Sequence, residues 1–288
     1  MVTISGESAG GGSVMLQAMA YGGTLGESLF TNLHAASPYL PMQYGYKDWV
    51  PSQSYYAFAA HAGCMDTNAY GGSSRSIFQC LLAQNTTTLM NASDLVSESG
   101  EFGTWGFLPV TDGVFIQQTP SQQLLQRQVN GRNFLSGNNA EEGTLFLKQN
   151  ITSEADLLAW LHLTFPLMSN DDISRLLLYY PSSNASVMSE SALRFATNGT
   201  SGPSALNESD TGAGQQQRAD NIYAETTFVC PSYWLAEAYT GNGRSSYKYQ
   251  YSVVPAFHGQ DVTAYFGPAK PWQGSAFVRA FMCKYRPS

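Results

Sequence analysis

The segment MVTISGESAG at residues 1–10 commits this chain to one local geometry. An apolar, partly β-branched run, Val2-Thr3-Ile4, leads into Gly6-Glu7-Ser8-Ala9-Gly10. Small residues then follow at 9–13, and residues 14–19 are compatible with a helix. Strand, sharp turn and helix in this order is the setting of a nucleophile elbow, in which G-x-S-x-G lifts a serine hydroxyl clear of a sheet. The turn holds Ser8 in a strained backbone conformation. Gly6 and Gly10 are expected to be glycine because a Cβ at either would strike the neighbouring strand or helix.

The rest of the sequence reads as strands separated by helices. Strands are expected at residues 27–36, 133–137 and 247–253, and helices at 51–63, 74–84, 122–129, 153–165, 170–179 and 217–239, with Ser153 an N-cap. The Gly/Ser/Asn-rich residues 198–216 read as a surface loop. Strands alternating with helices give an α/β fold with a mainly parallel sheet.

A serine nucleophile needs a base, and the base needs an acid to orient it. The chain has four histidines. His34 falls in an expected strand, and His61 and His162 fall in expected helices, where a structural role is the ordinary one. His258 lies in PAFHG, a loop after the last expected strand, which is where a base belongs. In GNNAEEGTLF, after the strand at 133–137, Glu141 and Glu142 compete for the acid. Asp112, in PVTDG, reads as a β-turn residue.

Net charge is −7 and the pI is about 5.0, which argues against nucleic acid or an anionic membrane as partner. No apolar run reaches the ~18 residues of a membrane span. The sequence shows no metal cluster, P-loop or dinucleotide fingerprint, so no cofactor is expected. N-glycosylation acceptors occur at Asn85, Asn91, Asn150, Asn184, Asn198 and Asn207, although a Ser/Thr-rich sequence produces such triplets by chance. Cys64 and Cys80 enclose a short loop between two helical stretches, and a disulfide there would contribute about 3 kcal/mol. Together these features point to a secreted protein. Cys230 and Cys283 stay open between free thiols and partners elsewhere.

GESAGGGSV, AASP, the AGC…C loop, FLPVTDG, SGNNAEEGTLF, FVCP and FHGQDVTAYFG occur in the order seen in type-B carboxylesterases, and the chain resembles that family, fungal secreted members above all. The resemblance implies an α/β-hydrolase fold and hydrolysis of a small-molecule or lipid ester through an acyl-enzyme. It implies Ser8 as nucleophile, Glu142 rather than Glu141 as acid, His258 as base, and the Ala9 backbone N–H in the oxyanion hole. It also implies a disulfide between Cys64 and Cys80, and a partner for Cys230 near a longer C-terminus.

The departures from the family are expectations too. The first sheet strands and the Gly-rich HGG-type loop that completes the oxyanion hole do not precede the elbow, and residues 285–288 resemble no family ending. Residues 1–288 are therefore expected to form the C-terminal portion of a single hydrolase domain, starting at the elbow, with the signal peptide in the missing part. Such a chain, made alone, is expected to fold poorly and turn over little ester. The other reading is a catalytically silent, cholinesterase-like binding protein. Trp105 and Phe107 are candidates for an acyl pocket, with core packing the commoner role of such rings.

Overall fold

The computed structural model describes residues 1–65, 76–180, 212, 214–253, 255–268, 270–271 and 273–274. Asn184, Asn198, Asn207, Cys283 and most of the 198–216 stretch lie outside the described residues. The chain divides into two compact units, one made of Met1–Leu40 with Phe115–Ser288, the other of Pro41–Val114.

The larger unit is built on four parallel strands, β1 (Thr3–Glu7), β2 (Asn32–Ala36), β5 (Asn133–Asn139) and β6 (Ser245–Tyr251), in the order β1-β2-β5-β6. In register, Gly6 lies beside Ala35, Ala35 beside Ser136, and Ser136 beside Lys248. The strand expected at 27–36 is shorter, because pairing starts at Thr3↔Asn32 and residues 27–31 have no strand beside them. One face of the sheet is apolar. Leu33 and Phe134 pack there against Val14, Met15 and Met19 of α1 (Ala9–Met19), Leu124 of α5 (Pro120–Leu125), Leu235 of α9 (Cys230–Ala238) and Tyr239, which follows it. The Phe134 and Tyr239 rings stack with centroids 4.7 Å apart.

Asn130 is a buried polar group within this core, and it is fully used. Its Oδ1 accepts from the Leu25 and Gly26 N–H groups at 2.8 and 3.1 Å, and its Nδ2 donates to the Ala20 carbonyl at 2.8 Å. One side chain thus closes the loop that follows α1, at no desolvation loss.

A second apolar cluster joins α6 (Glu154–Thr164), α7 (Asn170–Tyr179) and α8 (Gln215–Ala224) through Leu157, Leu161, Ile173 and Ile222. Ser153 caps α6 as expected, in a reciprocal pair with Asp156, and Ser169 does the same with Asp172 on α7. The helix expected over 217–239 is interrupted by a π-helical turn, Glu225–Val229, between α8 and α9. Pro231 is the reason. It has no N–H for the carbonyl four residues back, and the Thr227 carbonyl accepts from the Leu40 N–H instead, at 2.9 Å.

The smaller unit is mostly helical, with α2 (Trp49–His61), α3 (Ile77–Leu82) and α4 (Thr86–Glu98). Its two-residue strands β3 (Tyr44–Gly45) and β4 (Val110–Thr111) pair in parallel. Ala59, Ala62, Leu81 and Ala92 form its core beside the Cys64–Cys80 disulfide. Closing a loop of this length stabilises the unit by about 3 kcal/mol.

Candidate active site

Ser8 sits between β1 and α1 with φ 58° and ψ −121°, a strained conformation for a residue with a Cβ. The elbow is held from both sides, because the Ser8 N–H donates to the Ala36 carbonyl at 3.0 Å and the Ser8 carbonyl accepts from Tyr39 and Gly12 at 3.1 and 2.9 Å. A Cβ on Gly6 would lie 2.2 Å from the Gly10 carbonyl oxygen, so close packing requires glycine at 6. The same expectation fails at Gly10, where an added Cβ meets nothing within 4 Å. The pattern's second glycine serves through its backbone, which is what Gly6 packs against. Ala9 opens α1 and is exposed, and its N–H, in the first helical turn, has no helical carbonyl to bind.

Three side chains from distant segments meet here. The His258 Nε2 is 2.8 Å from the Ser8 Oγ, and its Nδ1 is hydrogen-bonded to the Glu142 carboxylate. Glu142 is fully buried, and the backbone of its neighbour Glu141 pairs with Phe257 and Ala256. The Glu142 Oε1 accepts from the Ser37 hydroxyl at 2.6 Å and the Asn139 N–H at 2.5 Å. Gly143 lets this loop approach α8, since a Cβ there would lie 2.0 Å from the Asp220 carbonyl oxygen. Ser37 and Ala256 share with Ser8 a positive φ at a non-glycine residue, 44° and 53°. Three of the six described non-glycine residues with positive φ thus lie in the turns that carry Ser8, Ser37 and His258.

The imidazole lies among rings and acids. Phe228, from the π-helical turn, and Phe146 pack on it with centroids 4.4 and 5.0 Å away. Burial pushes the His258 pKa down, but the hydrogen bond and charge of Glu142, with the charges of Glu7 and Asp261, outweigh it and leave the value above 6.5. Glu7, next to Ser8 in the chain, places its Oε1 3.3 Å from the His258 Nε2. Burial raises the Glu7 pKa to about 7. Asp261 is fully buried, and burial raises its pKa although the Tyr249 hydroxyl donates to it at 2.7 Å.

The other sequence candidates fall elsewhere. His34 bonds the Ser5 hydroxyl at 3.0 Å and is kept neutral by burial, with a pKa lowered to about 4. His61 and His162 occupy exposed positions in the last turns of α2 and α6. The Asp112 Oδ1 accepts from the Val114 N–H at 3.0 Å, closing a turn. Trp105 and Phe107, expected in a core or pocket, are 53% and 48% exposed. Asn85, Asn91 and Asn150 are exposed, and Asn85 also caps α4. Cys230 is a half-buried free thiol among the described residues. No group of metal-ligating side chains and no helix long and apolar enough to cross a membrane is present among the described residues. Glu7, Ser37, Asn139 and Asp261 escaped the sequence reading, although each adjoins or lies within a motif that it used.

The sequence pattern of the Carboxylesterase family matches residues 1–277. Lipase 2 of Geotrichum candidum is 33% identical over 190 residues, which cover 62% of this chain and 33% of that protein. Secreted lipase 4 of Gibberella zeae is 22% identical over 281 residues, covering 96% of this chain and 47% of that protein. The crystal structure of Aspergillus niger EstA is similar with a TM-score of 0.69 and 22% identity, over 93% of this chain and 48% of that one. The chain spans less than half the length of these proteins. The parallel sheet with its flanking helices is that of an α/β-hydrolase fold, and the chain belongs to the carboxylesterase family.

Proposed function

We propose that this chain hydrolyses carboxylic esters, with Ser8 as nucleophile, His258 as base and Glu142 as the acid that orients it. One observation carries the reading. A single imidazole is hydrogen-bonded at Nε2 to the elbow serine and at Nδ1 to a buried carboxylate. With Nδ1–H donated to Glu142, Nε2 has a lone pair for the Ser8 proton. The Ser8 Oγ attacks the ester carbonyl, whose oxygen takes the negative charge and accepts from the Ala9 N–H. The imidazolium protonates the departing alcohol, leaving an acyl-enzyme. Water then repeats the sequence and releases the acid. The strained turn favours this chemistry by fixing Oγ beside its base before substrate arrives.

The substrate class is a small-molecule or lipid ester, supported by relatives named as lipases. Residues 1–288 belong to one α/β-hydrolase domain in this reading. Secretion is supported by the Cys64–Cys80 disulfide, the exposed acceptors Asn85, Asn91 and Asn150, and a relative named a secreted lipase. A silent binding protein needs none of the three side chains in hydrogen-bonding register, so their alignment favours the enzyme.

The test is turnover of p-nitrophenyl esters of increasing acyl length by the purified chain and its Ser8→Ala variant. The expected result is slow hydrolysis by the wild type, in keeping with the low turnover expected of this chain made alone, and a fall to background in the variant. Folded wild-type protein with no hydrolysis above background, or equal rates for the two, contradicts the proposal.

A further inference from the structure

Three carboxylates, Glu7, Glu142 and Asp261, gather around His258, and one neutral side chain lies between two of them. Asn139 is the last residue of β5 and is fully buried. Its Nδ2 donates to the Asp261 Oδ1 at 3.2 Å, to the Ser37 Oγ at 3.2 Å and to the Glu142 Oε1 at 3.4 Å. Its Oδ1 accepts from the Asp261 N–H at 3.2 Å. The amide can point only one way. Reversed, its oxygen would face two carboxylates and its NH2 would face an N–H donor.

The geometry points to Asn139 as a positioning residue that separates Glu142 from Asp261 and keeps Glu142 the carboxylate bonded to His258. This inference rests on the proposed roles of Ser8, His258 and Glu142. Two buried carboxylates without a donor between them repel, and such a pair comes to share a proton. A proton shared in that way would weaken the partner of the Nδ1–H. Asn139 supplies the donor without adding a charge. The Asp261 carboxylate is held away from the imidazole by the Tyr249 hydroxyl on its other oxygen. The remaining titratable groups that face this cluster are Glu7 from β1, Tyr265 from α10 (Val262–Phe266) and Lys248 from β6.

The measurement is the histidine ring titration, followed by NMR, in the full chain and in Asn139→Leu. With four histidines in the sequence, the His258 signal is assigned by its absence from His258→Gln. Asn139→Leu removes the donor and adds no charge, so Glu142 and Asp261 are expected to share a proton and the His258 midpoint to fall by about one pH unit. A merely structural asparagine would lower stability and leave that midpoint in place, so an unchanged midpoint in folded Asn139→Leu overturns the inference. Should that variant fail to fold, the side-chain NH2 signals of wild-type Asn139 give the second reading. They are expected to move through the His258 midpoint, and signals that stay fixed overturn the inference. Failure of the catalytic reading would appear separately, as wild-type protein that resists a serine-directed fluorophosphonate whatever His258 does.

Discussion

Glu7 shows how much of the site's chemistry sits on a variable position inside the G-x-S-x-G motif. In the proposed mechanism the base must be neutral to accept the Ser8 proton, so activity is expected to fall as pH drops through the His258 midpoint, which lies above 6.5. Glu7→Gln removes a negative charge 3.3 Å from Nε2. The acid limb of kcat/KM is then expected to move to lower pH by on the order of one unit, read from pH–rate profiles of both proteins. The effect on stability appears at the other end of the scale. The Glu7 pKa rises from its ordinary 4.5 to about 7 in the folded chain. The folded state therefore holds the proton more tightly, and its advantage is present below pH 4.5 and lost as pH rises through 7. Melting curves should show Glu7→Gln with a higher Tm than wild type at pH 8 and no gain at pH 4.

At the scale of elements, the elbow separates two glycines that look alike in the sequence. Gly6→Ala drives a Cβ to 2.2 Å from the Gly10 carbonyl oxygen and should cost about 2 kcal/mol or more. Gly10→Ala places its Cβ in open space on α1 and should stabilise by about 0.5–1 kcal/mol. Urea titrations of the two variants check both signs. The sequence could show that a glycine was needed near the serine, but not which atoms it had to clear. Other elements divide in the same way. Ser153 was legible because a cap and its Asp156 partner are local. The helix α4 was not expected, since Thr86, Thr87 and Thr88 are poor helix formers and the Asn85 side chain that caps them read only as a glycosylation acceptor. The π-helical turn arises from a carbonyl released by Pro231 and taken up by Leu40, a partner 187 positions earlier than Thr227 (227 − 40).

Over the whole molecule, the site is assembled from β1 and its turn, the loop after β5 and the loop after β6, which the parallel register brings to one end of the sheet. Ser8 and His258 were legible as candidates because each sits in a short motif after a strand, whereas the choice of Glu142 over Glu141 came only from the family resemblance. Ser37, Asn139 and Asp261 were not legible, since their roles exist only once β2, β5 and β6 lie side by side. Phe228 and Phe146 likewise became neighbours of the imidazole only through the packing of α8 and its π-helical turn. The central claim is that this arrangement makes Ser8 nucleophilic. Its most direct test is covalent labelling with a fluorophosphonate, read by intact mass and peptide mapping. One adduct is expected, on Ser8, absent from Ser8→Ala and strongly slowed in His258→Ala. Folded wild-type protein that takes no label, or a label that persists in Ser8→Ala, would contradict the account.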